Sequence, residues 1–296
     1  MIRKAFILGA GLGTRLRPLT HVLPKPLVPV FHEPMANYAL RHCADAGIES
    51  FAINTHHIPE AWNDAYPSGE FSGHPIQFFH EPVLLETGGG IRNISSFLES
   101  DPLLIYNGDI LTDIDITQLI AHHQASGNIA TLALRSHGPN CNVNIHGDQI
   151  TDMRNLLDNE PGTHQFTGIY CIEPDILPLI TDEKVVSIVP AFIELIHQKK
   201  LGAVVLDEGD WFDIGDPEAY HKIHQHLRQQ RNDAIHPQAN IDPTAQIDHE
   251  TCVIGPGAQI GAGALLHDTI VWPNAVVAPD SQLKHAIITP DASLAS

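Results

Sequence analysis

Between Phe6 and Val30 the chain reads FILGAGLGTRLRPLTHVLPKPLVPV: three alternating glycines, two arginines, and a lysine held between Pro24 and Pro26. These residue types suit a polyanion. The backbone of Gly9, Gly11 and Gly13 can approach a phosphate closely, because no side chain intervenes. Arg15 adds a fork of donors and Lys25 a point charge. The flanking prolines restrict the backbone around Lys25, which lowers the entropy lost when its ammonium meets a phosphate. The alternation is not the GxGxxG dinucleotide fingerprint, and no Lys-Ser or Lys-Thr follows at P-loop spacing. The plain alternative is a strand–turn connection carrying solvated basic residues.

Two carboxylates are placed to accompany such a loop. In LLIYNGDILTD, Asp109 ends an apolar run, where it could hold a metal ion against phosphates. Asn107-Gly108 alone would read as a hairpin turn. In DWFDIGDPEAY, Asp213 lies four residues before the helical Pro217, too early for a cap, and completes a two-carboxylate Mg²⁺ site; Asp216 is the expected cap. Asp113 and Asp115 read as helix-start residues. In LLETGGGIRN, Gly88 to Gly90 open a helix and could let a flat ligand such as a nucleobase lie on bare backbone. The 20 histidines include no HExxH or Cys-paired spacing. His221 and His224 could share a helix face, read as solvated rather than as a zinc site.

The elements that must position these residues alternate strand and helix. AFILGA, SFAINT, IQFFHE, PLLIYNGD and IATLALRS read as strands, and MANYALRHCADAG and ITQLIAHHQASG as helices. The expectation is an α/β, Rossmann-like mixed sheet, mainly parallel, with helices on both faces and ligands at the carboxyl ends of the strands. TGIYCIEP and GAVVLDEG add strands, and helices are expected near residues 190–199 and 217–231. After Asp233 the period changes. Ile235, Ile241 and Ile247 are six apart, as are Ile254, Ile260 and Leu266, with a one-residue slip between the sets. That period predicts a short left-handed parallel β-helix, giving domains 1–232 and 233–296.

Composition narrows the partners. A net charge of -19 disfavours nucleic acid, and a polyphosphate ligand would then need a local basic cradle. Four scattered cysteines suggest reduced thiols. No apolar run reaches the ~18 residues of a membrane span, and MIRK leads straight into a strand without a signal-peptide pattern. Cytoplasmic location is expected.

Taken in order, LGAGLGTRLRPLT, PKPLVPV, ETGGGI, NGD, TGIY and WFDIG resemble the sugar-1-phosphate nucleotidyltransferases, over about residues 3–222. The wording LETGGGI, the short FTGIY, and the lack of a lysine at the usual EKP position resemble the N-acetylmuramate-1-phosphate uridylyltransferase branch. The hexapeptide tail is instead similar to mannose-1-phosphate guanylyltransferase-like proteins. The resemblance implies reaction of an NTP with a sugar 1-phosphate and Mg²⁺ as cofactor. It implies Arg15, Lys25 and Asp109 as catalytic, with Asp109 and Asp213 on the metal. Gly9, Gly11, Gly13, Thr14, Glu86, Gly88 and Gly89 would hold the nucleotide, and Asn107, Thr167 and Gly168 the sugar. UTP with an N-acetylated sugar is the first substrate expectation, and GTP with a mannose- or heptose-type sugar the alternative. Lys184 is a weak candidate for the missing lysine's role.

Two other classes compete. A non-catalytic nucleotide-sugar-binding homologue commonly loses a metal carboxylate or the loop arginine, yet Asp109, Asp213, Arg15 and Lys25 are all present. An acyltransferase centred on the tail could use His249, His267 or His285 as base, but about three coils are few for one. The tail reads as a homo-oligomerisation element, so its removal is expected to change assembly before chemistry.

Overall fold

The computed structural model describes residues 1–157 and 160–290. It forms two compact units, Met1–Leu12 with Ala36–Phe212, and Gly13–Met35 with Asp213–Ser296.

The first unit is built on a ten-stranded sheet. Its elements are β1 (Lys4–Leu8), α1 (Met35–Asp45), β2 (Ser50–Thr55), α2 (Glu60–Ala65), β3 (Glu70–Phe71), β4 (His74–His80), α3 (Glu86–Asn93), β5 (Leu103–Asn107), β6 (Ile110–Thr112), α4 (Ile116–Ser126), β7 (Ala130–Arg135), β8 (Cys141–His146), β9 (Gln149–Met153), β10 (His164–Ile172), α5 (Val189–His197), β11 (Leu201–Val205) and β12 (Trp211–Asp213). The sheet order is β8-β9-β11-β7-β10-β5-β1-β2-β4-β3, and β6 pairs with β12 separately.

β5, β1, β2 and β4 are parallel, and the buried apolar runs of β5, β1 and β2 suit a sheet covered on both faces. From β1 the chain advances through α1 to β2 and on to β4. After α3 it returns to β5, on the other side of β1. Right-handed crossovers in opposite directions place their helices on opposite faces, and the direction switches between β1 and β5. The expected parallel sheet holds for this core. β10 then runs antiparallel to both β5 and β7, so the second half is mixed. Its register shifts between Phe166 and Tyr170, a bulge of the kind that re-aims side chains near sites.

The second unit joins the loop 13–35, α6 (Pro217–Gln230) and the tail. Pro217 opens α6, and the Asp216 carboxylate accepts the Ala219 N–H at 2.9 Å, as read from the sequence. Tyr220, Ile223, His224 and Leu227 form its buried stripe. Against it lies the hairpin Pro29–Val30/Glu33–Pro34. The Phe31 N–H donates to His224 Nε2 at 2.9 Å, and the Tyr220 hydroxyl donates to the Pro29 carbonyl. The loop and α6 pack with the tail, and Phe212/Asp213 is one of the points where the compact units part. That packing also corrects the solvated-face expectation: His221 and His224 are both buried.

Burial without a counter-charge lowers His224 to about 3, with the hydrogen bond to the Tyr220 carbonyl acting the other way. Native His224 stays neutral where an unfolded chain, near 6.5, takes up a proton, so stability is lost as pH falls below 6.5. At pH 5 the loss is about 2 kcal/mol relative to neutral pH. Urea unfolding at pH 7.5 and 5 checks this; His224→Gln should show a shallower pH dependence.

The tail forms three parallel three-stranded sheets. Asn240–Ile241, Gln259–Ile260 and Val276–Val277 make one, Gln246–Ile247, Leu265–His267 and Gln282–Lys284 the second, and Val253–Ile254, Ile270–Val271 and Ile287–Ile288 the third. Paired residues are 19 apart where the slip intervenes (Asn240 with Gln259) and 17 apart afterwards (Gln259 with Val276). Ile254, Ile260, Leu266, Val271 and Val277 point inward and are buried, with Ala258, Ala264 and Ala275 between them.

Candidate active site

The parallel pairing of β1 with β5 sets Leu8 beside Asn107, and the Gly108 N–H donates to the Leu8 carbonyl at 3.1 Å. The glycine loop and Asn107-Gly108-Asp109 thus leave the sheet side by side, at the switch point, where ligands of such sheets bind. Asp109 is half-buried there. Asn107 lies over Gly168, whose φ is 82°: a Cβ would come 2.7 Å from Asn107 Nδ2. Gly168→Ala is therefore expected to cost about 1–3 kcal/mol, from backbone strain and displacement of Asn107. Chemical denaturation measures it.

The structure assigns the loop glycines different tasks. A Cβ at Gly9 would meet the Asn54 carbonyl at 2.7 Å and Trp62 at 2.8 Å. The Gly9 N–H is already donated to Asn54 Oδ1 at 2.7 Å, and that of Ala10 at 3.3 Å. Those two amides are engaged with protein, which corrects the expectation of a loop of open donors at Gly9. Gly11 is exposed, with open space where a Cβ would project.

Asn54 was not singled out from sequence, nor was Glu81, which it contacts. Asn54 Nδ2 donates to Glu81 Oε1 at 2.7 Å, and the Leu85 N–H to Glu81 Oε2 at 3.0 Å. Glu81 is fully buried. This chain of bonds ties the ends of β1 and β2 to the start of α3. Each polar residue closes an apolar strand (SFAINT, IQFFHE), the one signal the sequence offered.

At the start of α3, Glu86 is exposed with a φ of 59°, a region glutamate rarely adopts. Gly88 and Gly89 need correction: a Cβ on Gly88 would meet the Val186 and Ser187 carbonyls at 2.8 and 2.9 Å, and one on Gly89 the Lys184 carbonyl at 2.8 Å. Their bare faces pack on chain, not on an open platform. Lys184 contributes backbone to that packing, and it is exposed. Thr167 is also engaged: its hydroxyl donates to the Ala133 carbonyl at 2.9 Å, while its carbonyl accepts Trp211 Nε1–H at 2.9 Å. Asp115 caps α4 through the Thr117 N–H. Asp113 does not; it accepts the Asp210 N–H at 2.5 Å.

The second unit carries the remaining candidates. Gly13 has a φ of 58°, and a Cβ there would lie 2.9 Å from Lys25 Cβ. Thr20 Oγ1 donates to the Gly13 carbonyl at 2.9 Å. Lys25 is 7% exposed and begins a one-turn 3₁₀ helix. Pro24 enters it extended, and Pro26 follows within it. Thr14 and Arg15 are exposed, and the Arg15 guanidinium lies over Gly215, 2.8 Å from where a Cβ would stand. Asp213, two residues earlier, is exposed at the end of β12. Gly13 thus packs on Lys25, and Arg15 on Gly215.

Residues 4–230 match the nucleotidyl transferase family. The mannose-1-phosphate guanylyltransferase of Mycobacterium tuberculosis is 30% identical, over 96% of this chain and 79% of that protein. The UTP–glucose-1-phosphate uridylyltransferase of Synechocystis is 27% identical over 72% of this chain, which spans 60% of that relative. UDP-glucose pyrophosphorylase from Acinetobacter baumannii superposes with a TM-score of 0.68 at 19% identity, covering 78% of this chain and 95% of that one. That likeness establishes the fold.

Proposed function

The chain belongs to the nucleotidyl transferase family, and from that premise we propose that it joins an NTP to a sugar 1-phosphate, giving an NDP-sugar and pyrophosphate. The observation that carries the reading is the switch point, where the glycine loop and Asp109 emerge together. A sugar-phosphate oxygen forms a bond to the α-phosphorus as the bond to the β-phosphate oxygen breaks, and pyrophosphate carries the electron pair away. No protein nucleophile is required. The work is alignment of two polyanions and neutralisation of their charge.

Asp109 and Asp213 are our metal ligands. Their donor set, hard carboxylate oxygens with one group half-buried and one exposed, fits Mg²⁺. Bound there, Mg²⁺ would supply charge neutralisation at phosphate oxygens. Lys25, its stem buried and its backbone set by two prolines, holds a phosphate in one position; Arg15, braced on Gly215, presents a fork of donors. Gly11, Gly13 and Thr14 line the phosphate path. Glu86 orients the nucleoside, and Asn107, fixed over Gly168, orients the sugar beside the Thr167 backbone.

GTP with a mannose-type sugar phosphate is the preferred pair, because the alignment to the guanylyltransferase leaves only about a dozen residues uncovered and so includes most of the tail. UTP with an N-acetylated sugar is the second reading, supported by LETGGGI and the missing EKP lysine. We read the three tail sheets as faces of a left-handed β-helix that mediates homo-oligomer formation, with residues 1–232 catalytic, in a cytoplasmic enzyme. Among the described residues no helix is long and apolar enough to cross a membrane.

Pyrophosphate release with Mg²⁺, across five NTPs and several sugar 1-phosphates, tests the reading. Strong turnover with GTP and mannose 1-phosphate supports the first pair, and with UTP and an N-acetylated sugar the second. A blank grid from folded, nucleotide-binding protein would leave the non-catalytic homologue.

A further inference from the structure

We propose that His221, Asp268 and His285 form a binding site for a transition-metal ion, Zn²⁺ by donor chemistry, within the second unit and separate from the proposed Mg²⁺ carboxylates. One nitrogen or oxygen from each residue lies within 4.8 Å of the others. His221 projects from α6, whereas Asp268 and His285 come from successive coils of the tail, so residues from distant parts of the chain converge.

The geometry suits a small ion. His285 Nδ1 is 2.6 Å from Asp268 Oδ2, and His221 Nδ1 is 4.0 Å from Asp268 Oδ1. Tetrahedral bonds of about 2.0 Å need donors about 3.3 Å apart, a value those two distances bracket. His221 Nδ1 is buried and has no hydrogen-bond partner, although its side chain is only 6% exposed. Buried polar nitrogens ordinarily find a partner, and a metal would supply one. Asp268 is already oriented, since Gln225 Nε2 donates to its Oδ1 at 3.1 Å, the outer-shell support that metal carboxylates carry.

The two imidazoles stack with centroids 4.1 Å apart and planes 17° apart. Coordination by both needs that angle to open, and the half-exposed His285 ring is the one that can swing. Its Nδ1 then gives up its hydrogen bond to Asp268 and binds the ion in the neutral Nε2–H tautomer. A cavity of about 510 Å³, lined by His221, His285 and Glu218 among others, gives an ion a way in. Glu218 Oε2 is 3.9 Å from His285 Nε2 and adds a carboxylate at the entrance. Two imidazoles and a carboxylate, with water completing the set, favour Zn²⁺ over Mg²⁺ or Ca²⁺.

The test uses the full chain, stripped with a chelator and titrated with Co²⁺ and then Zn²⁺. One Co²⁺ per chain should give intense tetrahedral visible bands that Zn²⁺ abolishes. Zn²⁺ at about 100 times its Kd should raise the melting temperature by about 5 °C, and Mg²⁺ should not reproduce this. His285→Ala, at an exposed position, should keep the fold and weaken Zn²⁺ by more than the 10–100-fold typical of losing an outer-shell partner. Asp268→Asn is the second variant, and His267→Ala, which removes a neighbouring exposed imidazole, the control. Absence of the tetrahedral bands, or bands equally intense in His285→Ala, overturns the proposal.

Discussion

Asp109→Asn is expected to lower kcat by about 10²–10³, the usual effect of deleting one electrostatic stabiliser. The substitution is nearly isosteric, so its effect reports charge rather than shape. Asp109 follows Gly108, whose N–H is held by the Leu8 carbonyl, which fixes the carboxylate's backbone to the end of β1. If the carboxylate holds Mg²⁺, the variant should also require more Mg²⁺ for half-maximal rate, since an amide is a poorer ligand for a hard cation. Steady-state pyrophosphate release over a Mg²⁺ series measures both. The fold should survive, because the position is half-buried at a strand end rather than in the core. A folded variant turning over within a few-fold of the parent would remove Asp109 from the mechanism. A fall in kcat with unchanged Mg²⁺ dependence would keep its catalytic role and deny its metal role.

The switch point was legible because its signals are local. An apolar run ending in Asn-Gly-Asp, and another ending in a glycine loop, name two strand ends, and alternation of strand and helix implies the parallel sheet that sets them together. What the sequence did not disclose are pairings across long separations. Asn54 and Glu81 read separately as strand-ending polar residues, and only the fold makes them one buried chain of bonds from Gly9 to Leu85. Glycine types were visible but not their reasons: at Gly88 and Gly89 the close neighbour is chain 184–187. Likewise, a helical wheel places His221 and His224 on one face of α6. It cannot show that residues 29–31 and the tail cover that face, which turns an apparently solvated pair into one neutral buried imidazole and one candidate metal ligand.

Ending the chain at Asp233 is expected to abolish turnover, not merely to alter assembly as the sequence suggested. The reason is a relay of contacts inside the second unit. The buried Trp272 donates its indole N–H to the Tyr220 hydroxyl at 3.0 Å, and that hydroxyl donates to the Pro29 carbonyl. One helical turn on, His224 accepts the Phe31 N–H. Gln225 donates to Asp268, and His221 stacks on His285. Truncation strips the tail from α6 and leaves Tyr220 without its indole donor. Loss of buried aromatic packing alone costs about 3–5 kcal/mol, a large part of the 5–15 kcal/mol that holds a folded protein together. The loop that rests on α6 is the segment carrying Arg15 and Lys25, so its loosening removes both cations from fixed positions. Trp272→Phe separates the parts of this argument: it keeps most of the apolar volume, deletes one hydrogen bond worth about 1 kcal/mol, and should leave kcat within a few-fold. Circular dichroism with turnover distinguishes the outcomes. A truncated chain that folds and turns over normally would mean that the loop is held by α6 without help from the coils. One that folds but is inactive would place the tail's contribution in the position of Lys25 and Arg15 rather than in global stability.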